Sequence, residues 1–144
     1  MQLRKASIDD CEWVYQVLEE LREPVRYTLE SFKEYYANLL KYNMTEILLF
    51  CQEQDRVGLV TLNKFSMLRY LGYGYEMEEF VIHKSYRGKG LSYKMIDAVK
   101  DHISSDKTVR KLIIKSNGAD SKHVYAKALS QTDLVAFQVY LNKL

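Results

Sequence analysis

A glycine-containing loop between a predicted strand and a predicted helix constrains the fold of this chain most. The strand ends at residues 80–82, and apolar residues then recur at the spacing of a helix: Leu91, Met95, Ile96 and Val99. Gly88 and Gly90 let the backbone approach a bulky anion, and free N–H groups at the start of the helix add partial positive charge. Arg87 and Lys89 add full charges. The segment therefore predicts a site for a phosphate or pyrophosphate.

The composition is that of one soluble globular domain, which we expect to span residues 1–144. No apolar run approaches the roughly 20 residues needed to cross a bilayer, and the first five residues lack the apolar segment of a signal peptide. Cys11 and Cys51 lie too far apart in sequence to indicate a disulfide framework, so we expect both to be buried thiols. These features predict a cytoplasmic protein with no membrane partner.

The charge of the chain is distributed unevenly. Between residues 84 and 115, nine Lys or Arg and three Asp give a local charge of +6, and the other 12 basic and 16 acidic residues give −4. The basic excess surrounds the glycine loop, so a small, multiply charged anion explains it better than a nucleic acid does. We therefore expect no nucleic-acid partner.

The rest of the pattern alternates strands and helices, which predicts a single mixed α/β domain. Strands are expected at residues 3–6, 47–51, 57–62, 75–82, 111–116 and 134–141. One helix is expected from about residue 13 until Pro24 ends it, and others at residues 29–42, 91–104 and 120–129. A hairpin loop at residues 52–56 joins the second and third strands.

The loop resembles the acyl-CoA pyrophosphate loop of the GNAT superfamily of N-acetyltransferases, whose pattern is Arg/Gln-x-x-Gly-x-Gly/Ala. Arg87 and Gly90 match it, and Ser92 stands where Gly or Ala is usual. The predicted order of elements is also similar to that of the family over nearly the whole chain. The resemblance implies an α/β fold whose central, mostly antiparallel sheet has splayed central strands and flanking helices. It also implies acetyl-CoA as co-substrate and a primary amine as acceptor.

The resemblance further implies which residues hold CoA. The loop would bind the pyrophosphate, and the exposed backbone at the end of the preceding strand would pair with the pantetheine arm like an added strand. Asn117 would contact the same arm, and Lys122 would reach a phosphate. The expected CoA-binding residues are Phe80, Val81, Ile82, Arg87, Gly88, Lys89, Gly90, Leu91, Ser92, Asn117 and Lys122.

A cluster of carboxylates is the candidate base for acetyl transfer. An alkylamine has a pKa near ~10.4, so it arrives protonated at pH 7 and needs a base before it can attack. Glu76, Glu78 and Glu79 precede residue 80, and simple alternation places Glu79 on one face with Met77 and Val81. The resemblance implies that Glu79 or Glu76 acts as the base through water. Solvated acids, or acids paired with nearby basic residues, are the alternative interpretation.

Tyr125 is the candidate acid. Residues 117–125 resemble the family segment in which an Asn follows a strand and a Tyr lies in the next helix, and a phenol with a pKa near ~10 suits donation to a departing thiolate. Core packing of one more tyrosine is the alternative. The family usually places a Gly-aromatic turn after this Tyr, whereas this chain has Leu129 and Ser130. That departure leaves a catalytically weak CoA-binding module as a competing function.

The expected acceptor side combines basic and acidic residues. Arg22, Arg26, Lys64 and Arg69 would contact an acidic group on the acceptor while the glutamates attract its amine. That mixture favours an amine with an anionic tail, and the chain is weakly similar to aminoalkylphosphonate acetyltransferases. A protein or peptide acceptor remains an alternative, and a homodimer is left open.

Other chemistries find less support in the sequence. The loop lacks Gly-x-x-x-x-Gly-Lys-Ser/Thr and Gly-x-Gly-x-x-Gly, so neither a nucleoside-triphosphate loop nor a dinucleotide fingerprint is indicated. His83, His102 and His123 are not at metal-ligand spacing with another His or Cys, and we expect no metal site.

Overall fold

Five strands form one sheet in the computed structural model, which describes residues 1–21, 27–116, 124–127 and 129. They are β1 (Gln2–Lys5), β2 (Thr45–Gln52), β3 (Asp55–Met67), β4 (Gly72–Ile82) and β5 (Val109–Ile114). The strands lie in sequence order, with antiparallel pairing from β1 to β4 and parallel pairing between β4 and β5. The expected mixed α/β fold with a mostly antiparallel sheet is confirmed.

Helices cover both faces of the sheet. On one face, α1 (Cys11–Leu18) and α2 (Leu29–Leu39) pack through Val14, Val17, Phe32 and Tyr36 onto the sheet residues Leu49, Leu59 and Val81. On the other face, α3 (Leu91–Ser104) packs onto a second core. Its members include Leu48, Val60, Leu62, Tyr75, Met77, Ile82, Met95 and Val99. Cys11 and Cys51 are buried free thiols, as expected.

Several predicted boundaries were wrong. α1 ends at Leu18, well before Pro24, and its last turn closes through short-range bonds from the N–H groups of Glu20 and Leu21. α2 ends at Leu39 rather than at residue 42. The bounds of α3, in contrast, match the prediction at both ends.

The hairpin of β3 and β4 is longer than the sequence indicated. Residues 64–75, which include the expected acceptor contacts Lys64 and Arg69, mostly extend the two strands, with a 3-10 turn at Leu68–Tyr70. Gly74 makes this extension possible, since a Cβ there would lie 2.3 Å from the Phe65 ring that packs across it. The absent side chain thus lets an aromatic residue close the far end of the hairpin.

A β-bulge in β4 overturns the predicted alternation of the glutamates. Val60 pairs with Phe80 and Leu62 with Met77, so two residues of β4, Glu78 and Glu79, lie opposite Thr61 alone. The extra residue reverses the phase of the strand: Met77 belongs to the core under α3, whereas Glu79 faces the same side as Val81, toward α1 and α2. The expectation that Glu79 shares a face with Met77 was therefore wrong.

Part of the C-terminal prediction lies outside the described residues. Residues 124–127 are helical, within the helix expected at 120–129, and the N–H of Leu129 donates to the carbonyl of Tyr125 at 2.8 Å. The strand expected at 134–141 is not among the described residues. In the described ranges, no helix combines the length and apolar character needed to cross a bilayer.

Candidate active site

The end of β4 lacks a neighbour on one side. Pairing with β5 runs from Tyr73 to Met77, where Ile114 is the last partner. Beyond this point, no strand among the described residues pairs with the β5 side of residues 78–82, while pairing with β3 continues to Ile82. The described part of the chain therefore leaves this edge of β4 open, as splayed central strands would require. Unpaired backbone groups of this kind can accept an extended, amide-containing ligand as an added strand.

The glycine loop joins this open end of β4 to α3. Gly88 and Gly90 have φ angles of 76° and 68°, a left-handed conformation that glycine adopts without strain. A Cβ at either position would meet no heavy atom within 4 Å, so the space beside both residues is open. Gly90 is the N-cap of α3, and because it has no side chain, it cannot cap the first N–H groups of the helix itself. Lys89 is exposed beside them.

Leu91 and Ser92 open α3 in different ways. The Leu91 side chain is buried in the core under the helix, so only its backbone faces the loop, and Ser92 is half-buried in the first turn. Packing of Leu91 anchors the helix start and fixes the direction in which its N–H groups point. The loop and the first turn of α3 thus present open space beside free N–H groups, an arrangement that suits an anion.

Arg87 is held by the end of α1. Its guanidinium donates to the carbonyl of Ile82 at 2.9 Å and to the carboxylate of Glu20 at 2.7 Å. The same carboxylate accepts the backbone N–H of Lys84 at 2.9 Å, and His83 lies 3.5 Å from it. Arg87 was expected to bind a phosphate, but its side chain also has a structural role, because it links the loop to the end of β4 through a hydrogen bond.

Glu79 is the carboxylate that the bulge turns inward. Its backbone N–H donates to the Thr61 hydroxyl at 3.0 Å, and that hydroxyl in turn donates to the Glu79 carboxylate. Burial raises the pKa of Glu79 to about 7, and the nearby charge of Glu78 acts in the same direction. At neutral pH, Glu79 is therefore ionised in a large fraction of the protein molecules, and in these it is able to accept a proton.

Glu79 faces a cavity of about 520 Å³ between the sheet and the helices α1 and α2. Its wall is mostly aromatic and aliphatic. Buried members include Val14, Phe32, Tyr36, Ile47 and Leu59. Ser31 and Tyr35 lie exposed at its rim. The volume falls within the range of roughly 300–1,000 Å³ that small-molecule sites occupy.

The other two glutamates of the cluster are placed differently. The Glu76 carboxylate pairs with Lys115, just after β5, and it is not among the residues that line the cavity. Glu78 is exposed. The cation that pairs with the cluster is thus Lys115, whereas Lys64 pairs with Asp106 at 3.0 Å and Arg69 lies over the Tyr70 ring.

Tyr125 lies beside the unpaired end of β4. Its ring meets the Phe80 ring edge-on, with the centroids 5.9 Å apart. Burial raises the pKa of the Tyr125 phenol, which therefore remains protonated at neutral pH. Phe80 directly follows Glu79 in sequence, so the two candidate catalytic side chains flank the same stretch of strand. Asn117, Lys122, Arg22 and Arg26 lie outside the described residues.

Sequence reasoning did not identify the cavity wall. In the sequence, the aromatic residues of α2 indicate only an apolar helix face, and the role of Thr61 in the bulge carries no local signal. The spacing of Phe32, Tyr35 and Tyr36 was visible, but the space that they enclose depends on β2, β3 and β4 as well. Among the described residues, no group of three His, Cys, Asp or Glu is arranged to hold a metal ion.

Comparison with known proteins places the chain in one family of enzymes. The family model described as Acetyltransferase (GNAT) family matches residues 11–130. Similar solved structures include glucosamine-6-phosphate N-acetyltransferase from Arabidopsis thaliana, 21% identical, with a TM-score of 0.79 and 98% of each chain covered. An acetyltransferase from Trypanosoma brucei is 22% identical, with a TM-score of 0.77, and 97% of this chain and 99% of that chain are covered.

A third similar structure is a ribosomal-protein-alanine N-acetyltransferase from Brucella melitensis biovar Abortus 2308. It is 17% identical, with a TM-score of 0.78, and the match covers 98% of this chain and 100% of that chain. No curated protein matches the chain in sequence. At these identities the solved structures establish the shared fold, and the family model establishes the family.

Proposed function

The chain belongs to the GNAT family of acetyltransferases, and from that premise we propose that it transfers an acetyl group from acetyl-CoA to the primary amine of a small molecule. It is an N-acetyltransferase. The observation that carries the finer proposal is the position of Glu79, a carboxyl group with a pKa of about 7 on the wall of a cavity beside the open end of β4.

The chain offers groups that fit CoA along one continuous path. The open left-handed positions of Gly88 and Gly90 and the first N–H groups of α3 suit a pyrophosphate. The unpaired backbone of residues 78–82 suits the amides of pantetheine, and Lys89 adds a positive charge at the loop. When bound, acetyl-CoA supplies an activated thioester carbonyl. We assign Asn117 and Lys122 to the same binding site by the family resemblance alone.

Glu79 acts as the base in this proposal. An ammonium group entering the cavity meets one carboxylate, and burial keeps the pKa of that carboxylate close to neutrality, where a base is both available and effective. Glu79 accepts the proton of the amine directly or through a water molecule. The hydrogen bond with Thr61 fixes the side chain, so the geometry is set before the acceptor arrives. Glu76 is the weaker candidate because Lys115 neutralises it.

Tyr125 acts as the acid. Its raised pKa keeps the phenol protonated, and its contact with Phe80 places it beside the strand along which the thioester arm is expected to lie. The Tyr125 hydroxyl donates its proton to the departing thiolate. As the attacking nitrogen becomes an amide it loses a second proton, which returns to the Tyr125 phenolate, and the proton that Glu79 gained leaves to water after the product is released. Both groups are then restored for the next cycle.

Release of free thiol from acetyl-CoA in the presence of a panel of primary amines tests the proposal. We expect the acid limb of the pH–rate profile near pH 7, and Glu79→Gln should lower kcat/KM at least about 100-fold. Tyr125→Phe should lower kcat with little change in the KM for acetyl-CoA. Glu34→Gln, an exposed glutamate of α2, is the matched control and should leave the rate unchanged.

Three results would contradict this function. Absence of thiol release with every amine, together with binding of CoA, would indicate a binding module without catalysis. Faster turnover of a long peptide than of any small amine would indicate a protein or peptide acceptor. Failure of the wild-type protein to bind CoA would show that the glycine loop is not a CoA site.

A further inference from the structure

We propose that the acceptor is a hydrophobic primary amine, with an aromatic ring or an equivalent apolar body seated between α1, α2 and the sheet. The inference rests on the proposed function and adds the chemical class of the substrate. The acceptor would occupy the cavity that Glu79 faces. None of the described residues that line this cavity belongs to the CoA-binding loop.

The cavity is shaped as an apolar slot closed at its base. Val14, Ile47, Leu59 and Tyr36 are at most 6% exposed and form the floor, and Phe32 is 8% exposed. These side chains offer a ring or alkyl chain a surface from which water is excluded, and each methylene buried there strengthens binding about fourfold. A strongly hydrated group such as a phosphonate would lose its water in this slot without finding a partner.

Aromatic rings give the slot a fixed width. Tyr27 and Phe32 are stacked, with centroids 5.9 Å apart and planes inclined by 8°, and Phe32 continues to Tyr36 at 5.6 Å. The carbonyl of Tyr27 accepts a hydrogen bond of 3.0 Å from the hydroxyl of Tyr15, which holds this edge in place. Aromatic faces attract both a flat apolar ring and an ammonium group. The slot is therefore preorganised for a molecule that carries both.

The charges that face the slot also select a cation. Glu79 is the only carboxylate among the described lining residues, and these residues include neither Lys nor Arg. Lys64 and Arg69, the described residues expected to attract an anionic tail, lie further along the β3–β4 hairpin and do not line the slot, and Lys64 is already paired with Asp106. The described wall thus favours a molecule with a positive amine and an uncharged body over an amine with an anionic tail.

Three primary amines of similar chain length test the inference: 2-phenylethylamine, propylamine and 2-aminoethylphosphonate. With acetyl-CoA saturating, we expect kcat/KM for 2-phenylethylamine to exceed that for propylamine by at least about tenfold, and that for the phosphonate by more. A higher kcat/KM for the phosphonate than for 2-phenylethylamine would overturn the inference while leaving the proposed function standing.

A pair of tyrosine variants locates the effect in the slot. Tyr35 at the rim and Tyr42 outside the slot are each 65% exposed, so neither substitution should unfold the protein. Tyr35→Ala should raise the KM for 2-phenylethylamine about fivefold and leave the KM values for propylamine and acetyl-CoA unchanged. Tyr42→Ala should change none of the three. If both variants changed the KM for 2-phenylethylamine equally, or if Tyr35→Ala changed all three KM values equally, the assignment of the acceptor to the slot would be contradicted.

Calorimetric titration of the CoA-bound protein with 2-phenylethylamine separates binding from catalysis. Saturable binding without turnover would contradict the proposed function and support the hydrophobic-amine site. If propylamine is acetylated while 2-phenylethylamine is neither bound measurably nor acetylated, the proposed function is supported and the hydrophobic-amine site is contradicted.

Discussion

The ionised carboxylate of Glu79 destabilises the fold at the pH where we propose that it acts as a base. The carboxyl group has an ordinary pKa near ~4.3 when the chain is unfolded, and burial raises its pKa to about 7 in the folded protein. Between these values the folded state binds more protons than the unfolded state. The free energy of unfolding therefore falls as the pH rises through this range, and the full penalty is present above about pH 7.

Glu79→Gln should consequently stabilise the protein in a pH-dependent way. At pH 8 we expect its free energy of unfolding to exceed that of the wild type by about 2 kcal/mol, less than the full pKa shift implies because the carboxyl remains in contact with solvent. At pH 5, where the folded carboxyl is protonated but the unfolded one is already mostly ionised, a difference of less than about half this size should remain, and it should vanish only below the unfolded pKa of ~4.3. Urea denaturation at both pH values measures this, and an equal gain at pH 5 and pH 8 would refute the assigned pKa.

At the scale of elements, local patterns predicted more than patterns that depend on distant partners. The strand–loop–helix unit around Gly90 could be predicted because glycine spacing and helical periodicity are contained within one stretch of chain. The bulge could not, since it depends on Thr61, 18 residues before Glu79 and in another strand. The aromatic slot was hidden for the same reason: its walls come from two helices and three strands.

Deletion of Glu78 tests what the bulge contributes to the site. It would leave Met77, Glu79 and Phe80 on the faces that they now occupy, so the cores on both sides of the sheet should survive. A regular β4 would bend less and could continue its pairing with β5 beyond Met77. We expect a folded protein by circular dichroism whose affinity for CoA falls at least about tenfold.

Glu78→Ala is the control for the deletion, because it removes the carboxylate and retains the extra residue. It should bind CoA as the wild type does, with the acid limb of its pH–rate profile moved to lower pH, since the charge of Glu78 contributes to the raised pKa of Glu79. If the deletion variant bound CoA with the affinity of the wild type, the CoA site would not depend on the bulge.

At the scale of the whole molecule, the positive charge lies in the segment that surrounds the glycine loop. Residues 84–115 carry a local charge of +6, although part of it is neutralised by contacts such as Arg87 with Glu20 and Lys115 with Glu76. Two mechanisms follow from this arrangement. The charge either attracts polyanionic CoA as a broad field, or it acts through the few cations that lie next to the bound phosphates.

Two charge reversals at opposite ends of α3 distinguish these mechanisms. Lys89→Glu and Lys107→Glu change the net charge equally at exposed residues, but the helix of 14 residues between them separates the sites by roughly 20 Å. At low ionic strength, Lys89→Glu should raise the KM for acetyl-CoA about tenfold and flatten its dependence on salt, while Lys107→Glu should raise it less than twofold. Steady-state kinetics from 20 to about 500 mM salt measure both effects. Equal changes in the two variants would mean that the field of the whole segment, rather than the glycine loop, recruits CoA.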